Sequence, residues 1–473
     1  MTGFSPELIA KWTEGRWNFP PKEKIAGFSI DTRVIREHEL FIAIKSERDG
    51  HDFLKLAKER GAAGALVSRI DEKFNFPQLK VEDTLSSFQK MGLFHRKNYK
   101  GKVIGITGSC GKTSTKEMLG LLLGKGSTVW THGNLNNFLG VPLTLLRIQN
   151  HFHDCAVIEA GINELGEMSK LTEMISPNIV IISMIGHSHL KGLGTLDDVA
   201  KEKAKLFQES SNLEKVILPE SCLQFEPFKE LIYSSGRSLI LKKGKPPCPP
   251  DQNQAYFDFW TETNKSGDFS MLRLWRHKSP VFSISFPSMS DGMVSNLALS
   301  LLAAFQLGVT TQEISERLPH YRPTALRGKC LQGRGRTYFV DCYNANPNSM
   351  QDSLNYFSRR FHDQPKMYVL GGMEELGKEE KRLHVQVALS HQIGVHDLVV
   401  MIGEKARWMA EGYLENGIQV EQLISLNSTD DARPIIDDFE GAILFKGSRK
   451  NRLEDLIPAW AVGGSELEEL LKC

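Results

Sequence analysis

The sequence predicts an α/β protein of three domains, and three observations carry that prediction. A length of 473 residues corresponds to about three units of ~150 residues. Short apolar strands alternate with amphipathic helical stretches along most of the chain, the pattern of mostly parallel sheets covered on both faces. The alternation is interrupted twice, by the polar, basic segment HRKNYKGK (95–102) and again at RPTALRG (322–328). These breaks divide the chain into 1–98, 99–322 and 323–473. With 41% hydrophobic and 24% charged residues there is enough apolar material for several cores, and wholesale disorder is excluded.

In the first unit, strand-like pieces IAGFSI, ELFIAI and AGALVS are separated by the helical stretch DFLKLAKERGAAG, giving a small N-terminal α/β domain with 95–102 as its exit linker. The second unit opens on KVIGIT (102–107) and continues through STVWTH, CAVIEAG, NIVIISMIG, KVILPE and SLILKK. From about 254 to 287 the period falls to two, as in FSISF, so antiparallel strands are expected there. A helix at about 291–307 follows, then a second one N-capped by Thr310. The third unit restarts the pattern with TYFVDCY, a helix at about 348–361, MYVLGG, a helix at about 378–392, DLVVMIG and AILFKGS, a Rossmann-like C-terminal α/β domain.

Charge and cysteine usage narrow the function classes. Against 58 Lys+Arg stand 57 Asp+Glu, a formal charge of +1, so no global field draws the chain to nucleic acid or an anionic membrane. The seven cysteines (110, 155, 222, 248, 330, 342, 473) form no CxxC pair, which fits reduced thiols and a cytoplasmic location. The N-terminus lacks an export-signal pattern, and the longest apolar runs, such as 179–186, fall short of the ~20 residues of a membrane span.

The sharpest motif is KVIGITGSCGKTSTKEMLGLLL (102–123). A buried strand runs into a glycine-containing turn, and Gly111-Lys112-Thr113 opens a helix. Such a turn aims backbone N–H groups at phosphate oxygens, while Lys112 supplies a cation to the β/γ-phosphates and Thr113 a hydroxyl to Mg²⁺. Position 106, where the usual G-x-x-x-x-G-K-[ST] pattern has its first glycine, is Ile. The central domain is therefore P-loop ATPase-like, a class shared by motors, kinases, GTPases and ligases. Glu159, near the carboxyl end of CAVIEAG, is placed to be the acidic partner of a P-loop magnesium.

The segment 187–207 carries a second signal. Thr195 and Asp198 form a capping-box pattern, so a helix should begin near Leu196. Its apolar stripe is Leu196, Val199, Ala200, Leu206 and Phe207, and Lys203 falls on the same face, whereas Lys201 and Lys205 point away. A lysine on a buried face is driven towards the neutral amine unless an anion partners it. Three readings are open: the ammonium snorkels to water, it pairs with a carboxylate such as Glu159, or the amine takes up CO₂ as a carbamate ligand for a second magnesium. His189, just beyond a strand end, is equally a plain loop histidine or a ligand.

The loop at Thr107–Thr113 resembles the T-G-x-x-G-K-[ST] version of the P-loop found in the Mur ligases, ATP-dependent amide-bond enzymes of peptidoglycan precursor synthesis. Further strings support the resemblance in order along the chain: IDTR (30–33), DGHDF (49–53), GNLNNFLGVPLTLL (133–146), VIEAG, HLKGLG, DCYNANPNSM (341–350), GGMEELG (371–377) and KGSR (446–449). YNANPNSM points to the branch that adds a dipeptide. The resemblance implies ligation of D-Ala-D-Ala to UDP-MurNAc-tripeptide through an acyl phosphate, by a monomer using ATP and two magnesium ions.

Residue by residue, the resemblance implies that the loop Thr107, Gly108, Ser109, Cys110, Gly111, Lys112, Thr113 and Ser114 holds ATP. Thr113, Glu159, His189 and a carbamylated Lys203 would hold metal. Asn136 and Asn137 match asparagines facing the transferred phosphoryl group; Asn296, Arg327 and Asp341 match positions that bind adenine, phosphate and ribose, with Asn344 beside them. Asp31, Thr32, Arg33, Asp49, Gly50 and His51 match the region holding the UDP end, while Asn346 and Ser349 complete the third-domain hallmark. Four positions depart from the pattern: Gly292 and Met293 replace a His-Asn pair before Asn296, Gly372 an acid and Cys342 a serine. Two alternatives stand beside this reading: a sister ligase adding a single amino acid, and a P-loop ATPase of another class.

Overall fold

The computed structural model describes residues 3–458 and 460, except 125, 233–235, 245–255, 265–268, 277–278 and 325. Three sheets follow one another along the chain. The first has the spatial order Arg16–Trp17, Gln78–Lys80, Gly64–Val67, Glu39–Ile42, Gly27–Ser29 and is parallel except at its 16–17 edge.

The second sheet has nine strands. From one edge they run Ser279–Pro287, Phe269–Arg276, Tyr256–Thr263, Ser238–Lys243, Lys215–Pro219, Ile179–Ile182, Lys102–Thr107, Cys155–Glu159 and Thr128–Trp130. Among the described residues only the pairings within 256–287 are antiparallel, as the change of period predicts. There Phe257, Phe259, Leu272, Leu274, Phe282, Ile284 and Phe286 face inward against the helix Asp291–Gln306, and each buried side chain of this size contributes roughly 1.5–3 kcal/mol. The central strands, such as the wholly buried Ile179–Ile182, are covered on both faces and so read as continuous apolar runs rather than as alternation.

The third sheet has the order Lys329–Gly333, Arg336–Asp341, Ala442–Lys446, Lys366–Gly371, Leu398–Ile402, Leu423–Leu426. Its first pairing is antiparallel and the rest are parallel. The expected helices stand at Pro347–Arg360 and Glu380–Leu389, the latter preceded by a 3₁₀ turn at Gly377–Glu379.

The segment 95–102 corrects the sequence expectation. Residues 95–98 are the last turn of a helix, Thr84–Asn98, and not a linker. Arg96 is buried and donates from Nε to Ile175 O (2.8 Å) and from Nη2 to Ser176 O (2.7 Å), while the His95 ring donates to Ile148 O (2.8 Å). Carbonyls at the end of the helix Glu167–Ile175 have no intrahelical partner, and the guanidinium satisfies them. The first domain is thus fastened to the second by buried, fully engaged donors. Cys110, Cys155, Cys222, Cys330 and Cys342 are free thiols; Cys248 and Cys473 lie outside the described residues. Among the described residues no helix is long and apolar enough to cross a membrane.

Candidate active site

The strand Lys102–Thr107 ends at the phosphate loop, and the helix Lys112–Leu123 begins directly after Gly111. Gly111 has φ +82°, and a Cβ there would stand 2.4 Å from Asn296 Oδ1, so the loop needs glycine twice over. Ser109 Oγ donates to Gly186 O (2.7 Å) and accepts from Gly186 N (2.9 Å), and Thr107 Oγ1 donates to Ala160 O (2.9 Å). These bonds tie the loop to neighbouring strand ends. Lys112 Nζ donates to Gly108 O (2.8 Å). Burial lowers the Lys112 pKa, with Glu159 opposing and Arg327 adding to the effect; an anion in the loop would relieve that cost.

Glu159 is the hub beside the loop. The carboxylate, 1% exposed, accepts from Thr113 Oγ1 (3.1 Å) and Asn136 Nδ2 (2.7 Å), and its Oε2 lies 3.7 Å from Lys116 Nζ. Among the described residues no hydrogen-bond partner reaches that Oε2. Lys116, fully buried one turn after Lys112, also binds Gly133 O (2.9 Å) and Glu117 (2.7 Å). Asn137 spends its Oδ1 on the amides of Leu139 and Gly140 and lines the cavity.

The lysine helix forms as its cap predicts, Leu196–Gln208 with the Thr195/Asp198 capping box. Lys203 is fully buried and, among the described residues, its Nζ has no hydrogen-bond partner. It neither snorkels nor pairs with Glu159, whose cationic neighbour is Lys116. Burial, reinforced by Lys112, drives its pKa well below the ordinary lysine value, so the neutral amine is favoured. His189 has φ +53°, and its Nδ1 is paired with Glu375 of the third domain. Burial chiefly pulls the His189 pKa down to about 4, with Lys112 adding to the effect and Glu375 opposing, so the imidazole is neutral.

The third sheet completes the site. Asp341 and Lys446 end adjacent parallel strands in direct register and pair at 2.9 Å. Lys446 Nζ also binds Asn344 O (3.0 Å). Arg327 stacks on Tyr343, 4.0 Å from the ring centroid. Asn346 and Ser349 form the capping box of the helix Pro347–Arg360, which gives these hallmark residues a local structural role. A cavity of about 630 Å³ joins the two domains, lined by the phosphate loop from Ser109 to Ser114, Asn136, Asn137, Glu159, His189, Asn296, Arg327, Asp341 and Asn344. Its size suits a small-molecule substrate.

Not every expected residue meets there. Thr107, Gly108 and Lys203 lie behind the lining, and the first-domain set is elsewhere. Arg33, largely exposed, forks onto Asp31, and Thr32 beside it is buried. Asp49 accepts from His51 N (3.0 Å), Arg69 Nη2 (2.8 Å) and His51 Nδ1 (2.6 Å), and these bonds hold its carboxyl well below the usual range. His51 Nε2 accepts from Ser68 N (3.0 Å). A Cβ at Gly50 would meet the backbone of Ile44 at 2.7 Å. At the departures, Cys342 is a buried thiol, and a Cβ at Gly372 would meet Lys405 Cβ at 2.8 Å. Lys116, Lys446 and Glu375 are site residues that sequence reasoning assigned no role; for Lys446, its position at a strand's carboxyl end was the available signal.

The Mur ligase middle domain model matches residues 106–304, and that of the Mur ligase, glutamate ligase domain matches 327–449. A UDP-N-acetylmuramoyl-tripeptide–D-alanyl-D-alanine ligase of Escherichia coli is 31% identical over 454 residues, 92% of this chain and 94% of that protein. A crystal structure of MurF from Acinetobacter baumannii superposes with a TM-score of 0.82 at 25% identity, covering 100% of both chains. MurF ligase from Thermotoga maritima, solved in complex with ADP, gives 0.73 at 25% identity over 94% of this chain and 97% of that one. With this fold, this cleft and these likenesses along nearly its whole length, the chain belongs to the Mur ligase family, among the MurF-type ligases.

Proposed function

We propose that the chain joins D-Ala-D-Ala to UDP-MurNAc-tripeptide at the expense of ATP, completing the cell-wall precursor peptide in the cytoplasm. The observation that carries this reading is the cleft in which the phosphate loop and Glu159 of the central domain face Arg327, Asp341 and Lys446 of the third. A carboxylate is a poor electrophile, so it must be activated. The tripeptide carboxylate attacks the γ-phosphorus of ATP to give an acyl phosphate and ADP, and the dipeptide amine then displaces phosphate through a tetrahedral intermediate. Bringing a carboxylate to a polyphosphate is opposed by like charge, and Lys112, Lys446 and Arg327 offset it at fixed positions in a buried site.

The residues present fit magnesium. Thr113 Oγ1 and the unpartnered Glu159 Oε2 are hard oxygen donors, and neutral His189 with a carbamate on the buried, unpartnered Lys203 would hold a second ion. Among the described residues no three His, Cys, Asp or Glu side chains form a site by themselves, so the hydroxyl, a carbamate, the phosphates and water would supply the remaining ligands. Bound magnesium supplies charge neutralisation along the phosphates. Asn136 steers the Glu159 carboxylate, and Asn137 faces the phosphoryl group from the same loop. Asn296 sits against the phosphate loop, and Asp341 would take the ribose, with Asn344 beside it.

The division of labour follows the domains: 1–98 for the UDP end through Asp31, Thr32, Arg33 and the 49–51 turn, 99–322 for ATP and metal, 323–473 for closure and the incoming dipeptide. The test is phosphate release from ATP with UDP-MurNAc-tripeptide, with and without D-Ala-D-Ala. Release that requires both substrates is expected; release without the nucleotide-peptide, or with a single amino acid in place of the dipeptide, would overturn the assignment.

A further inference from the structure

Gly292 is the second residue of the helix Asp291–Gln306, which carries Asn296, and stands where the family pattern has a side chain. A Cβ at 292 would lie 2.6 Å from Asp352 Oδ2, so the space is filled from the opposite domain. Asp352, on the third-domain helix Pro347–Arg360, accepts from Gly292 N (2.9 Å) and from Ser290 Oγ (2.6 Å). Ser290 is itself the N-cap of the Asn296 helix, so a carboxylate from another domain supplements the cap and faces the positive end of the helix dipole. Two further residues on the same face of the third-domain helix take part. Tyr356 donates its hydroxyl to Ser288 O (3.0 Å), and Arg359 lies 3.4 Å from Asp291. Positions 352, 356 and 359 follow helical spacing, so one helix face grips one helix start.

The grip leads to the nucleotide cleft. Ser290, Gly292, Asn296, Asp352 and Tyr356 all line it. Asn296 stands one turn beyond Gly292, and its Oδ1 occupies the space beside Gly111 of the phosphate loop. Holding the first turn of this helix therefore sets where Asn296 meets the loop. We infer that Asp352 is a positioning residue for nucleotide binding, which uses the room left by Gly292 to lock the third domain onto the Asn296 helix.

The inference rests on the cleft being the nucleotide site, so its test reads ADP binding to the full-length protein directly and assays ligation by the unmodified chain separately. Asp352→Ala removes two hydrogen bonds to a charged group and is expected to weaken ADP about tenfold. In ligation assays it should raise the KM for ATP while leaving kcat at saturating ATP within about twofold. Gly292→Ala should weaken ADP comparably, because its methyl group collides with the carboxylate, and should add no further loss once Asp352 is alanine. Asp352→Asn keeps one acceptor, is expected to lose about threefold, and replaces the alanine variant if that fails to fold. Unchanged ADP affinity in the Asp352 variants, or additive losses in the double variant, would overturn the inference. An unmodified chain that binds ADP without ligating would count against the proposed reaction alone.

Discussion

Both seams of this molecule are fastened by satisfied polar contacts, but only the second also borders unpartnered buried atoms. Where the first domain meets the second, the buried polar groups are satisfied: Arg96 and His95 each end on backbone carbonyls. Where the second meets the third, buried polar atoms in and behind the cleft, Glu159 Oε2 and Lys203 Nζ, have no hydrogen-bond partner among the described residues. Satisfied donors hold a joint together, whereas orphaned ones are costly unless something outside the chain completes them. The unpartnered atoms beside the second seam are therefore the ones that a ligand would complete.

The strongest way to break this comparison is Lys203→Ala. If the orphaned amine is a carbamate ligand, ligation falls by about a hundredfold or more, and a small carboxylic acid added to the assay restores part of it by occupying the vacated place; full activity of the variant would remove the carbamate from the account. At the first seam Arg96→Met should act on stability and not on chemistry. It strands the carbonyls of Ile175 and Ser176 and is expected to cost about 2–4 kcal/mol, seen in denaturant unfolding, while kcat of the folded fraction is unchanged. A selective loss of kcat would mean that the two seams are not separable.

The smallest effect sharpens the contrast from a buried group that belongs to neither seam. His391, in the third-domain core, is fully partnered by Tyr413 Oη and Ser358 Oγ, and burial pulls its pKa down to about 3 from 6.5. A histidine whose folded pKa is depressed contributes stability that is present above pH 6.5 and lost as pH falls from there towards 3. Urea midpoints measured across that window should decline, and His391→Gln should flatten the slope.

The parallel strands could be read in the sequence because strands buried on both faces leave an uninterrupted apolar run, and the phosphate loop because its geometry admits few residues. Lys203 was readable for a related reason: helical phase alone carried a charge into the apolar stripe. Arg96 and Asp352 were not, since both are polar letters whose burial is decided by partners at 175–176 and 290–292. Local periodicity contains no information about such pairings. The same limit hid Lys116, which reads as an ordinary charge on an exposed helix until the strand ending in Glu159 is set against it.

The strand Ala442–Lys446 lies between Arg336–Asp341 and Lys366–Gly371, both made much earlier in synthesis. On the ribosome, the two earlier strands must wait for the intervening one to emerge before the sheet can close, and a pairing across that separation is a slow one. The same insertion brings Lys446 to Asp341. A chain that lacks this strand therefore lacks both a closed third sheet and the cation that Lys446 brings to the cleft.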